Sequence, residues 1–387
     1  MSACIVGWAH SRFGRSPDDL ETMIVKVARG AMADAGIGGD DVDATWLGHF
    51  NGGLVPENFC ASLVLGADDG LRWKPAARVE NACASGSAAI YAAIDAIEAG
   101  RVRVALVVGA EKMTAVPGLE VTRVLGNASY ISEEAARGMT FPGLFGEIAQ
   151  AYFAAYGDHS ATLARIAAKN HANGSHNPLA HMQRDLGFEY CNTVSESNPY
   201  IAAPLRKTDC SLVSDGAAAI VLVDEATAKT MRKAVRICAR AHVNDFLPMS
   251  RRDLIGFEGP RRAIAQALAG ANIKIDDLSF AEVHDCFTIA ELLTYEAMGL
   301  AERGQGASVV ENGLVYADGG LPINPSGGLK AKGHPIGATG VSMHALAAMQ
   351  LCGEASGIQV RNPEVAMVFN MGGSAVANYA SILERAA

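Results

Sequence analysis

The chain lacks what would tie it to a membrane, a metal framework or a nucleic acid. Only 6% of its 387 residues are aromatic, and its formal net charge is −9. That acidic balance excludes a broad nucleic-acid surface and leaves room only for a local basic patch facing a phosphate-bearing small molecule. No uninterrupted apolar run is long enough to span a bilayer. The opening "MSACIVGWAHSRFG" lacks the basic region and long apolar core of a secretory leader, and the closing "ERAA" is no peroxisomal address. A soluble, cytoplasmic protein is therefore expected. The eight cysteines include no CxxC pair and no zinc-ligand spacing, so neither a disulfide framework nor a bound metal is expected. Six of them read as small buried hydrophobes.

What is present points to an α/β protein. Half of the residues are hydrophobic and glycine is frequent, in a chain too long for one ordinary core. "ACIVGWA", "ATWLGHF", "AARVE" and "VRVALVVGA" read as short strands alternating with helix-like runs such as "LETMIVKVARGAMADAG" and "CASGSAAIYAAIDAIEAG". This is the pattern of a parallel, helix-covered sheet. From 113 to 209 the alternation stops. Helical runs and irregular Pro-, Asn- and His-rich segments replace it, as expected of an inserted lid or loop domain. The sheet resumes at "DGAAAIVLVD", and strand and helix signals then repeat to the C-terminus. The expected organisation is an N-terminal half over 1–112 and 210–230, the insertion over 113–209, and a C-terminal half over 231–387.

An internal duplication is suggested by two correspondences: strand–Cys83–helix against strand–His284–helix, and "ALVVGAEKM" against "AMVFNMGGS". Turns of such a sheet gather reactive groups at one edge.

Four segments carry candidate chemistry. Cys83 lies where the helix of "ENACASGSAAI" begins, and free N–H groups there lower a thiol pKa. Its small neighbours Ala84 to Ser87 leave room for a substrate; inert packing is the competing reading. "EVHDCFT" places His284 and Cys286 after an apolar strand, as base, proton shuttle or ordinary buried pair. "NPSGGLKAKGHPIGATG" is dense in glycine around His334, beyond what a plain turn needs, and His334-Pro335 suits a helix's first turn. "VFNMGGSA" is a turn whose Gly372 and Gly373 N–H groups can face an oxyanion; an ordinary left-handed turn is the alternative.

Together these segments resemble the thiolases over essentially the whole chain. The family's nucleophile segment matches "ENACASGSAAI", its histidine loop matches "NPSGGLKAKGHPIGATG", and its pantetheine-contacting loop matches "TDCSLVSDGAAAIV". The insertion segment "KNHANGSHNPLAH" is similar to the family's loop domain. Two departures single out the sterol-carrier-protein-type thiolases. His284-Asp285-Cys286-Phe287 stands where other classes carry Asn-Glu-Ala-Phe, and Asn370 stands where they carry a second catalytic cysteine. The thiolase body runs to the end of the sequence, so no sterol-carrier domain is expected.

The resemblance implies a five-layered α/β/α/β/α sandwich of two duplicated βαβαβ halves with a helical loop-domain insertion. It implies an acyltransferase that cleaves or forms 3-oxoacyl-CoA by Claisen chemistry through an acyl-cysteine. Cys83 would be the nucleophile, His334 its base, and Cys286 the α-carbon acid/base. His284 and His334 would hold the enolate oxygen, and the N–H groups of Cys83 and Gly372 the acyl oxyanion. Coenzyme A would be substrate and product, with no tightly bound cofactor, its pantetheine near Ser211 and its phosphates near Arg206 and Lys207. The latter two equally suit a solvated basic surface. A homodimer or homotetramer is implied, with a small oligonucleotide-fold-like protein as a possible partner. Two other activities remain open: a decarboxylating ketoacyl-synthase-type enzyme using Cys83, His284 and His334, and a non-catalytic acyl-CoA-binding subunit.

Overall fold

The computed structural model describes residues 3–386. Strand β1 (Ala3–His10) is buried along most of its length, as its near-continuous apolar run requires. Helix α1 (Leu20–Ala35) starts where the Asp19 side chain accepts from Thr22 N–H and stops at Gly36, which takes φ 72°. Then come β2 (Ala44–Gly48), β3 (Ala76–Val79), α2 (Ser85–Glu98) and β4 (Val104–Glu111). The segment up to β7 (Gly216–Asp224) adds no strand to the main sheet. It holds helices α3 (Gly118–Gly126), α4 (Phe141–Tyr156), α5 (Ser160–Ser175) and α6 (Gly187–Asn192), with a hairpin of β5 (Tyr200–Ala202) and β6 (Leu205–Arg206).

The second half repeats the first: short α7 (Glu225–Ala228), β8 (Val235–Asn244), α8 (Glu258–Ala271), β9 (Phe280–Val283), α9 (Thr288–Ala297), α10 (Ala307–Glu311), α11 (Thr339–Leu351), β10 (Val365–Gly372) and β11 (Ala377–Arg385). The strands run in the order β3-β2-β4-β7-β1-β8-β11-β10-β9. Two halves meet edge to edge at β1 and β8, where Cys4 pairs with Arg236 and Ile5 with Val235. Each half mixes parallel and antiparallel neighbours in the same sense: β2 is parallel to β4 and β9 to β10, while β7 and β11 are antiparallel to those partners. Helix α1 covers the first half and α8 the second, while α2 and α11 pack on one another between the halves. This is the five-layered sandwich the family resemblance implies.

Sheet order corrects the expected internal pairing. β2 matches β9, and β4 matches β10. An isolated bridge of Ile323 to Ala281 takes the place that β3 holds beside β2. Cys83 before α2 therefore corresponds to the His334 loop before α11, whereas His284 after β9 corresponds to His49 after β2. The earlier pairing of Cys83 with His284 rested on two similar strand–turn–helix strings; hydrogen-bonded order decides otherwise. One local expectation also shifts. His334 does not open a helix, because Gly333 at φ 110° turns the chain and α11 starts only at Thr339. The last strand begins at Ala377, after a turn containing Gly373 at φ 64° and Ala375 at φ 62°.

Candidate active site

The site lies where the N-termini of α2 and α11 cross. A Cβ on Gly86 would sit 2.8 Å from Val341 N and 3.0 Å from Gly337 O, and one on Gly340 only 2.2 Å from Ser87 N. The small residues after Cys83 thus do not clear a path for substrate, as the sequence suggested. They let two helix starts touch backbone to backbone, which brings the Cys83 turn against the His334 loop. Both helix dipoles present their positive ends there.

The same turns are pinned by carboxylates. Asp285 accepts from Leu329 N at 2.6 Å and Lys330 N at 3.1 Å. Gly328 adopts φ 59°, and a Cβ there would fall 2.3 Å from the Asp285 carboxylate. The HDCF turn and the glycine loop are therefore one unit. On the other side, buried Glu111 accepts from Phe50 N at 2.9 Å, Asn51 N at 3.0 Å and Gly337 N at 3.0 Å. Its companion is buried His49, 3.1 Å away. Burial, the largest influence, opposes charge on His49, but the Glu111 carboxylate and the Cys60 thiol together outweigh it and raise the imidazole to about 10. Sequence reasoning missed this clamp, whose members are 62 positions apart and carry no motif.

A cavity of about 130 Å³ opens onto Cys83, Cys286, His334 and Ser211. Its walls are mostly apolar: Phe50, Met113, Val121, Leu125, Phe141 and Ile336. Ser211 N donates to Cys286 O at 2.8 Å, which ties the Ser211 loop to the HDCF turn. The Cys83 sulfur and one ring nitrogen each of His284 and His334 lie within 4.8 Å of one another, all buried. The two rings meet edge to face at 5.1 Å between centroids.

Hydrogen bonds assign opposite roles to the two imidazoles. Thr339 Oγ1 donates its only proton to Pro335 O at 2.9 Å and lies 2.8 Å from His334 Nδ1. His334 must donate from Nδ1, which leaves Nε2 with its lone pair. Asn370 shows the reverse. Its Oδ1 accepts from Ser87 Oγ at 2.8 Å and its Nδ2 faces Cys83 O at 3.3 Å, so Nδ2 is the donor toward His284 Nδ1 at 2.8 Å. His284 therefore carries its proton on Nε2. Neither Nε2 has a protein partner. One is a base in waiting and the other a donor in waiting. Asn370, noted in the sequence only as standing where other classes carry a second catalytic cysteine, sets the second role.

Electrostatics revise the expectation for Cys83. Burial pushes its thiol up to about 12, despite N–H donors from Gly373 and from Cys83 itself. The helix start does not win, because desolvation of a buried thiolate outweighs a partial dipole charge. The N–H groups that favour the thiolate are those of Cys83 and of Gly373, the neighbour of the Gly372 that the resemblance assigned to the acyl oxyanion. Gly372 itself lies under the nucleophile turn, where a Cβ would come 2.4 Å from Asn81 O. Burial and the Lys332 charge hold His334 at about 3. Burial, His334 and Lys332 hold His284 well below its usual range. Burial and Cys83 push Cys286 well above its own.

Arg206 cannot meet a phosphate as the sequence suggested. It is buried, with Nε 2.9 Å from Asp209 Oδ2, Nη1 on Asn192 Oδ1 at 3.2 Å and Nη2 on Ser160 O at 2.6 Å. Three of its five N–H groups are spent on partners inside the protein, among them the ion pair three residues along the chain. Lys207 is exposed, away from the cavity lining.

Comparisons with known proteins agree with this architecture. The family profile for the thiolase N-terminal domain matches residues 4–226, and that for the thiolase C-terminal domain-like family matches 241–385. An acetyl-CoA acetyltransferase of Methanothermobacter thermautotrophicus is 36% identical, over 96% of each chain. Human sterol carrier protein 2 is 32% identical over 92% of this chain and 66% of that protein. A solved Ltp2-ChsH2(DUF35) aldolase shares the fold with TM-score 0.85 at 22% identity, covering 99% of this chain and 97% of that one.

Proposed function

The chain belongs to the thiolase family, and we propose from that premise how its buried groups divide the work of acyl transfer. It is an acyltransferase of the acetyl-CoA acetyltransferase type, exchanging acyl groups between 3-oxoacyl-CoA, coenzyme A and acetyl-CoA. In thiolysis, His334 Nε2 takes the Cys83 thiol proton as the sulfur attacks the 3-oxo carbon. The N–H groups of Cys83 and Gly373 receive the oxyanion. When the C2–C3 bond breaks, its electron pair passes into an acetyl-CoA enolate. The enolate oxygen is held by His284 Nε2–H and by the proton now on His334 Nε2. Cys286 gives its thiol proton to the α-carbon. Coenzyme A then gives its thiol proton to the Cys286 thiolate and attacks the acyl-cysteine, and Cys83 departs, taking back the proton held on His334 Nε2 as the shortened acyl-CoA is released. Condensation reverses each step.

The observation that supports this reading best is the pair of opposite imidazole tautomers around one cysteine. A metal-free acyl transfer needs one acceptor and one donor there. The test is incubation with acetyl-CoA, acid quench and peptide mass mapping. An acetyl group on Cys83 is expected; its absence overturns the reading. Release of carbon dioxide from malonyl-CoA during condensation would instead assign a decarboxylating synthase.

Finer features are proposals with their own support. The apolar cavity suits a hydrocarbon acyl chain rather than a polar one. Pantetheine would pass Ser211. Because Arg206 is spent on Asp209, the phosphates of coenzyme A would rely on Lys207 or on a small oligonucleotide-fold-like partner. The unpaired outer edge of β3, flanked by exposed Trp73, suits a homo-oligomer. A cytoplasmic location fits eight unpaired cysteines. Sedimentation velocity with and without coenzyme A checks the oligomer.

A further inference from the structure

We propose that Cys83, His284 and His334 form a Zn²⁺ site whose occupancy reversibly closes the active site. Among the described residues, these three make the one His/Cys/carboxylate group compact enough to hold a metal, with donor atoms within 4.8 Å of one another. All three are buried, and neither histidine Nε2 has a partner to give up. Zinc bonds of about 2.3 Å to sulfur and about 2.0–2.1 Å to nitrogen require the donors to close to spacings of about 3.5 Å, a modest side-chain shift. The cavity of about 130 Å³ beside them has room for the water that completes a tetrahedron. Thiolate with imidazole is a donor set that selects zinc over magnesium or calcium.

The two imidazoles enter the site unequally. His334 already has its Nε2 lone pair free, with Nδ1–H held by Thr339. His284 must move its ring proton from Nε2 to Nδ1. Asn370 permits this by turning its amide, so that Oδ1 accepts from Nδ1–H and Ser87 accepts from Nδ2. The 3.3 Å contact to Cys83 O is lost in that turn. The result is a carbonyl–histidine–zinc relay. Protons balance simply. The Cys83 thiol proton leaves to solvent, the His284 proton stays on its ring, and one proton is released per zinc bound. Zinc and acyl transfer exclude each other, because the metal occupies both the nucleophile and its base. An acylated Cys83 refuses the metal.

Co²⁺ reports the site directly. Chelator-treated protein titrated with Co²⁺ should bind one ion per chain, with a thiolate charge-transfer band and tetrahedral d–d bands that Zn²⁺ displaces. Cys83→Ala should lose the charge-transfer band, and His284→Asn should weaken binding at least tenfold. Wild-type protein blocked with iodoacetamide supplies the same comparison if Cys83→Ala does not fold. Asn370→Asp should tighten binding by about 10–100-fold, since a carboxylate accepts Nδ1–H without turning. Calorimetry in buffers of different ionisation enthalpy should show one proton released. A wild-type titration without the charge-transfer band, or a band that survives loss or blocking of Cys83, overturns the proposal. These readouts do not depend on turnover, so their failure is separate from failure of the acyl-transfer reading.

Discussion

Thr339→Val tests the tautomer assignment at the proposed base. The replacement is nearly isosteric and removes only the hydroxyl that lies 2.8 Å from His334 Nδ1. In the variant, a buried Nδ1–H is left without an acceptor, at a cost of about 1–3 kcal/mol. The ring can escape by moving that proton to Nε2, but Nε2 is then a donor and cannot take the Cys83 proton. Either way the base-competent state loses roughly 1–3 kcal/mol, which lowers the acylation rate by about 5–150-fold. Affinity for the acyl donor should change little, because Thr339 does not line the cavity. The lost bond to Pro335 O should cost about 1 kcal/mol of stability. The assay is a rapid-quench measurement of acetyl transfer from acetyl-CoA to Cys83, with thermal melts as control. An acylation rate within twofold of wild type, in a folded variant, refutes the assignment of His334 Nε2 as the base. A raised KM with unchanged acylation would refute it too, placing Thr339 in substrate binding.

Other predictions probe separate links. Cys286→Ser should leave Cys83 acylation intact while slowing acetoacetyl-CoA thiolysis by about 10²–10⁴-fold; thiolysis at the wild-type rate removes Cys286 from the proton path. Alkylation of Cys83 by iodoacetamide should rise with pH without a plateau below about pH 10, because burial holds the thiol near 12. A plateau near neutrality would show a thiolate–imidazolium pair already formed in the empty site. Glu111→Gln should lower the melting temperature and slow acylation together, since Gly337 and Phe50 lose one shared anchor. The His49–Glu111 pair also predicts a pH dependence. His49 is raised from 6.5 to about 10 in the fold, so its contribution is complete below about pH 6.5 and is lost as pH rises through about 10. Urea unfolding of the wild type should weaken across that window, whereas Glu111→Gln should be nearly flat; equal slopes would refute the pair.

The sequence alone determined the inventory of candidate groups. Cys83, His284, Cys286 and His334 are legible because each sits in a short string, and local strings also mark most strands and helices by their period and their caps. The alternation of strand and helix was enough to announce a layered α/β fold with an insertion. Tertiary structure decided everything that depends on a partner distant in the chain. Which turns are equivalent across the duplication follows from hydrogen-bonded strand order, which two similar strings misassigned. The glycines around Gly86 and Gly340 serve a helix crossing, which appears only when α2 and α11 meet. Arg206 is a candidate phosphate ligand or surface charge by its place before the Ser211 loop, and a buried ion-pair member by fold. Cys83 is activated by a helix start in one dimension and suppressed by desolvation in three. The proton positions on His284 and His334 rest on Asn370 and Thr339. A residue type states what a group can donate, accept or lose; burial and neighbours state which of these it does.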